Sequence, residues 1–214
     1  LNLECLALNE QIYGKEHPLY AQSLSNLAVN YLNFGEFDKA LELSRECLVL
    51  REQIYGKYHP YYALSLHNLA STYSYLGDYD KALELNLECL SLREKIFGKN
   101  HPAYASSLNN LSTAYSSLGD YEKSLELNTQ CLTLYEKLFG KDHPAYAASF
   151  NNLASNYSSL GDYDKALEIN LACLALREEL LGKNHPDYAL SLSNLALTYS
   201  SLGDYDKALE LDLA

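Results

Sequence analysis

The sequence has no methionine and no tryptophan, and its 5 prolines and 10 glycines all fall on one regular spacing. Basic charge is scarce: 16 Lys and Arg stand against 28 Asp and Glu, a formal net charge of −12. That sign argues against electrostatic binding to nucleic acid or to an anionic membrane. No apolar run approaches the roughly 20 residues that a membrane-spanning helix needs. No signal-like or polybasic segment opens the chain. The missing methionine predicts a piece of a longer reading frame. The 5 cysteines occur singly, without any C-x-x-C pair. An odd count without pairs points to a reducing, cytoplasmic setting rather than a disulfide framework.

What is present is a repeat of 42 residues. His-Pro recurs at His17-Pro18, His59-Pro60, His101-Pro102, His143-Pro144 and His185-Pro186. The glycines form two series, Gly14, Gly56, Gly98, Gly140, Gly182 and Gly35, Gly77, Gly119, Gly161, Gly203. The cysteines keep the same step at Cys5, Cys47, Cys89, Cys131 and Cys173.

One unit, residues 60–101, reads as two helices. Pro60 suits a first helical turn, where its missing N–H costs nothing. Leu66, Leu69, Ala70, Tyr73 and Leu76 then form one apolar stripe at helical spacing. Gly77 ends this helix, and Asp78 or Asp80 caps the next. The second helix runs from about Tyr79 to Phe97. Lys81, Glu84, Glu88, Ser91 and Lys95 form its outer stripe. Ala82, Leu83, Leu85, Cys89, Leu90, Leu92, Ile96 and Phe97 cover most of the rest. A helix so apolar must be packed on several sides. One hairpin cannot hide these faces alone, whereas a stack can. The chain therefore reads as eleven helical segments, with the first and last partial.

The run Leu69-Ala70-x-x-Tyr73-x-x-x-Gly77-x-Tyr79-x-x-Ala82 resembles the tetratricopeptide repeat signature. Gly98-Lys99-Asn100-His101-Pro102 followed by Tyr104-Ala105 resembles the longer repeat of kinesin light chains. The resemblance implies an all-α, right-handed superhelical solenoid of antiparallel helix hairpins. It divides the single array 1–214 into a partial repeat 1–17, repeats 18–59, 60–101, 102–143 and 144–185, and a partial repeat 186–214. The pattern departs from the family where Asn86, Asn128 and Asn170 replace an expected aromatic in the second helix.

The resemblance also implies that first helices line a concave face. In the second repeat that face carries Leu64, His67, Asn68, Ser71, Ser74 and Tyr75, opposite the apolar stripe. One asparagine is invariant: Asn26, Asn68, Asn110, Asn152 and Asn194. An amide offers both donor and acceptor. Such a row would either pair with the backbone of an extended peptide or bridge neighbouring repeats. The candidate peptide-binding set is completed by His67, Asn109, Asn151, Ser71, Thr113 and Ser155. First helices carry almost no formal charge, Asp187 excepted, so a basic clamp for a terminal carboxylate is not expected. The remaining charges are expected on outward surfaces of second helices and loops.

Other residues read as structural. Equivalent cysteines should lie about one helix layer, ~10 Å, apart, too far for a disulfide or a shared metal ion. The His-Pro histidines fit a turn or capping role. His67, the one histidine outside that series, is either a ligand contact or a solvated polar residue. Asn86, Asn128 and Asn170 would bond to adjacent helices or lie at the groove edge. No nucleophile–base pair, phosphate loop or paired acid appears. The reading is a non-enzymatic module without cofactor or metal that binds protein or peptide, not nucleic acid or membrane. Alternatives are a self-associating structural spacer or the sensor array of a larger signalling protein. Repeats 60–101 and 102–143 agree at 27 of 42 positions, surface included, which keeps the spacer reading open. Residues 1–4 and 211–214 correspond in repeat position to Leu85-Asn86-Leu87-Glu88, so both ends are expected inside a second helix. Two uncapped, complementary ends predict head-to-tail self-association. Light scattering should then show concentration-dependent growth; a strict monomer at millimolar concentration would contradict it.

Overall fold

The computed structural model describes residues 2–213, and its elements are all helical. Leu1 and Ala214, part of the comparison of chain ends above, lie outside the described residues. Two compact units are formed, Leu1–Lys99 and Asn100–Ala214.

In the first unit, α1 (Asn2–Tyr13), α2 (Pro18–Asn33), α3 (Phe37–Tyr55), α4 (Pro60–Tyr75) and α5 (Tyr79–Phe97) each pack on the next. In the second, α6 (Pro102–Ser117), α7 (Tyr121–Phe139), α8 (Pro144–Ser159), α9 (Tyr163–Leu181), α10 (Pro186–Leu202) and α11 (Tyr205–Asp212) do the same. The proposed second helix of residues 60–101 has the expected bounds. The first helix stops one residue short, with Leu76 as its C-cap and partly exposed. Within each unit first helices also touch one another, α2 with α4, α6 with α8, and α8 with α10. Among the described residues successive second helices make no comparable contact, so first helices lie on the more closely packed side of each unit.

The punctuation has direct geometric causes. Each His before a proline is an N-cap: its Nδ1 accepts the N–H two residues on, at 3.2 Å for Leu19 and Tyr61 and 3.1 Å for Ala145 and Asp187. Asp78, Asp120, Asp162 and Asp204 cap the second helices by accepting the N–H of Lys81, Lys123, Lys165 and Lys207. The two glycine series differ in backbone state. Gly203 ends a first helix in the left-handed region at φ 83°, ψ 6°. The next N–H, of Asp204, then bonds back to Tyr199 O at 2.9 Å, closing the terminal turn. Gly140 ends a second helix at φ 80°, ψ 174°, a region open almost only to glycine.

The core follows the apolar stripes. Tyr62, Ala63 and Leu66 of α4 pack with Cys89 and Leu92 of α5, and Leu69 and Tyr73 with Ala82. Leu48 of α3 and Leu85 of α5 flank both clusters, so α4 is held between the helices on either side. Burying a side chain such as Leu66 contributes about 1.5–3 kcal/mol. The outer stripe Lys81, Glu84, Glu88, Ser91, Lys95 is exposed. Cys47, Cys89 and Cys131 each lie 3.3 Å from the carbonyl oxygen of the alanine 26 residues earlier, to which the thiol donates.

Nothing crowds a Cβ built on Gly140, so any cost of Gly140→Ala is conformational. A loss on the order of 1–3 kcal/mol is expected, against about 1 kcal/mol for removing the cap in His143→Ala. Urea denaturation followed by circular dichroism measures both. A Gly140→Ala loss smaller than that of His143→Ala would contradict this account.

Candidate functional site

The polar face of the first helices is built by the 3.6-residue period: Leu and Ala turn toward the second helices, and Asn, Ser and Thr turn inward. Asn68 Nδ2 donates to Ser25 Oγ at 3.1 Å. Asn152 Nδ2 donates to Asn109 Oδ1 at 2.8 Å, and Asn194 Nδ2 to Asn151 Oδ1 at 3.3 Å. Each rung ties one repeat to the preceding one, 43 residues earlier in sequence. The bridging role for the row is therefore present. The Oδ1 atoms of Asn68, Asn152 and Asn194 accept nothing from the described residues. Asn26 is exposed and accepts from Gln22 at 2.8 Å. Ser71 and Thr113 bond back to the carbonyls of His67 and Asn109, which turns their hydroxyl protons into their own helix.

On the polar face of the first helices one cavity opens in the first unit and two in the second, and they gather most of the candidate residues. One of about 210 Å³ is lined by His67, Asn68 and Ser71 with Ser44 and Thr72. One of about 120 Å³ has Thr113, Asn152, Ser155, Asn128 and Asn156 in its wall. One of about 190 Å³ has Asn151, Ser155, Asn194, Asn170 and Thr198. Asn26, Asn109 and Asn110 line none of the three. The asparagine in the second helix serves as a cross-link at the cavity floor: Asn170 Nδ2 donates to Thr198 Oγ1 at 2.8 Å. A separate cavity of about 460 Å³ lies away from this face, lined by Lys15, Glu16, Arg45 and Glu46 among others.

Charge placement needs one correction. Arg51, Arg93 and Arg177 are buried, not solvated. Arg51 donates to Tyr61 O and Ser65 Oγ, both at 3.1 Å, and to Gln22 Oε1 at 3.3 Å. Arg177 donates to Asp187 O and Ser191 Oγ, both at 2.8 Å. A guanidinium on a long stem can cross the helix interface and meet a first-turn carbonyl of the following first helix. Its planar fork of donors makes the burial tolerable. The signal was in the sequence: three of the four arginines share one repeat position, where Asn9 and Tyr135 occupy the other two copies.

His67 is also shaped by burial. Desolvation, reinforced by the Arg93 cation, pushes its pKa down to about 4. It is therefore neutral near pH 7. Burial raises the pKa of Cys47 and Cys173, and pushes that of Cys131 to about 12. These thiols stay protonated donors, not nucleophiles. Among the described residues no three His, Cys, Asp or Glu converge as a metal site. No described helix is long and apolar enough to cross a membrane.

The sequence model of the tetratricopeptide repeat matches residues 1–52, 26–95, 76–137, 117–178 and 150–212. Among solved structures, the kinesin light chain nearly identical TPR-like repeats of Podosopora anserina are 28% identical, with a TM-score of 0.75, over 89% of this chain and 90% of that one. BtubC (BKLC) of P. vanneervenii is 26% identical, with a TM-score of 0.77, over 99% of this chain and 84% of that one. Rap protein complexed with Competence and Sporulation Factor is 18% identical, with a TM-score of 0.81. This chain covers 55% of Rap, and the likeness is one of fold alone. Among curated proteins no match is found.

A histidine whose folded pKa lies below its unfolded value takes up its proton more readily when unfolded. Stability linked to His67 is thus present above about pH 6.5 and is lost as pH falls toward 4. The loss is on the order of 2–3 kcal/mol. His67→Asn, the residue found at positions 109 and 151, should flatten that part of the curve relative to the parent chain. Identical stability–pH profiles from pH 7 to pH 4 would contradict the burial of His67.

Proposed function

Because the chain belongs to the tetratricopeptide repeat family, we propose that it is a protein-interaction module that holds an extended peptide along its first helices. The observation that carries the reading is the asparagine row. Each of Asn68, Asn152 and Asn194 is oriented by a bond to the preceding repeat while its Oδ1 stays available. Fixed amides lose little freedom on binding, and a backbone N–H is the natural donor to them. The first helices carry no Lys or Arg, and the net charge is −12. Both favour a neutral or weakly basic peptide over an acidic one. Rap, of the same fold, was crystallised with Competence and Sporulation Factor, which supports the placement of a ligand on such a fold without naming one here.

A second reading has its own support. The Asn152–Asn109 and Asn194–Asn151 rungs stiffen the repeat stack, as a structural spacer would require. A screen of extended peptides against the chain, repeated with Asn110→Ala and Asn152→Ala, separates the two. Losing a backbone bond of about 1–1.5 kcal/mol should weaken a bound peptide roughly tenfold. Circular dichroism checks that the variants remain folded. Peptide affinity unchanged by both substitutions, or no peptide captured at all, would favour the spacer.

A further inference from the structure

The third repeat breaks a rule that the other copies keep. Position 112 is Ser where the others have Ala28, Ala70, Ala154 and Ala196. Position 124 is Ser where the others have Ala40, Ala82, Ala166 and Ala208. Both serines are buried, and their hydroxyls lie 2.8 Å apart. Ser124 Oγ is also 2.8 Å from Ser112 O and 3.0 Å from Asn156 Oδ1, so one proton serves two acceptors. Apolar contact between two helices has been replaced by a polar cluster.

That cluster is incompletely bonded. Asn128 and Asn156 are 1% and 2% exposed. Asn128 Nδ2 and Oδ1 and Asn156 Nδ2 make no hydrogen bond within the protein. At the equivalent place in the next repeat, Asn170 and Thr198 satisfy each other at 2.8 Å. In the first unit, Ser44 and Thr72 lie 3.4 Å apart. Natural interiors rarely leave such groups unbonded. Both asparagines line the cavity of about 120 Å³ between α6, α7 and α8, roughly ten times what one water requires. Its mouth holds exposed Thr113, Ser117 and Ser155.

We propose that this cavity is a side-chain subsite taking the carboxamide of an Asn or Gln in the peptide bound along the first helices. The assignment rests on the groove reading above and adds its specificity. Asn128 Nδ2 and Asn156 Nδ2 call for an acceptor, and Asn128 Oδ1 calls for a donor. A primary amide supplies a carbonyl oxygen and two N–H groups in one plane, matching this demand. A carboxylate offers acceptors only, and an ammonium donors only. No charged side chain lines the cavity to compensate either, so a charged group would be desolvated without a partner. An aliphatic side chain would leave all three atoms unbonded.

The test is a positional-scanning library of extended peptides on the full 214-residue chain. One position should prefer Asn or Gln over Leu and Glu by about tenfold or more. Asn128→Leu and Asn156→Thr should each reduce that preference to within about twofold while other positions keep theirs. Thr stands at the equivalent positions 72 and 198, so Asn156→Thr keeps a side chain that this fold already accommodates. Peptides captured without any Asn or Gln preference would overturn the subsite and leave the groove standing. A preference that survives both substitutions would place it elsewhere and overturn the assignment. Capture of no peptide would overturn both readings.

Discussion

The second helices are apolar around most of their circumference, and this constraint governs the rest. Such a helix cannot face water on more than one stripe. In the first unit α3 packs on both α2 and α4, and in the second α7 packs on α6 and α8, and α9 on α8 and α10. Burial is thus obtained only from neighbours, so a repeat is stable because the next one is present. Small residues let the layers approach: Ala63 and Ala82 are fully buried, and Cys89 gives its thiol proton to the Ala63 carbonyl.

Loop chemistry keeps the layers in register. A histidine cap and proline start each first helix, and an aspartate cap starts α5, α7, α9 and α11, whereas α3 follows Glu36 without a side-chain cap bond. The two glycine series are not interchangeable, since one ends a helix in the left-handed region and the other in an extended, positive-φ state. Together these devices fix where each helix begins, and hence which side chains face inward.

The inward face has an unusual electrostatic character. It carries few formal charges, yet guanidinium groups are buried in the layers that support it. Arg51 reaches Gln22 on that face, and the Arg93 cation helps keep His67 neutral. A ligand there would meet oriented amides and hydroxyls, with positive charge behind them but none exposed on the first helices. The third repeat adds local polarity, because serines replace alanines where two helices meet.

The 42-residue period, the helix bounds near residues 60–97, the histidine and aspartate caps and the outer charged stripe were legible in the sequence. Each depends on near neighbours along one chain segment, so spacing alone determines it. Helical spacing also marked the Asn row, but not which atom of each amide is already bonded. The fate of the arginines was not read although their shared repeat position marked it, because that position does not say which groups a long side chain reaches on the next helix. Nor was Asn156 singled out beside Asn128, since the two meet only when one hairpin packs on the next. Leu76 lay on the apolar stripe but is partly exposed at the helix end. The partners of the amides and arginines lie on different helices, 10 to 43 residues apart, and tertiary packing alone decided which of them meet.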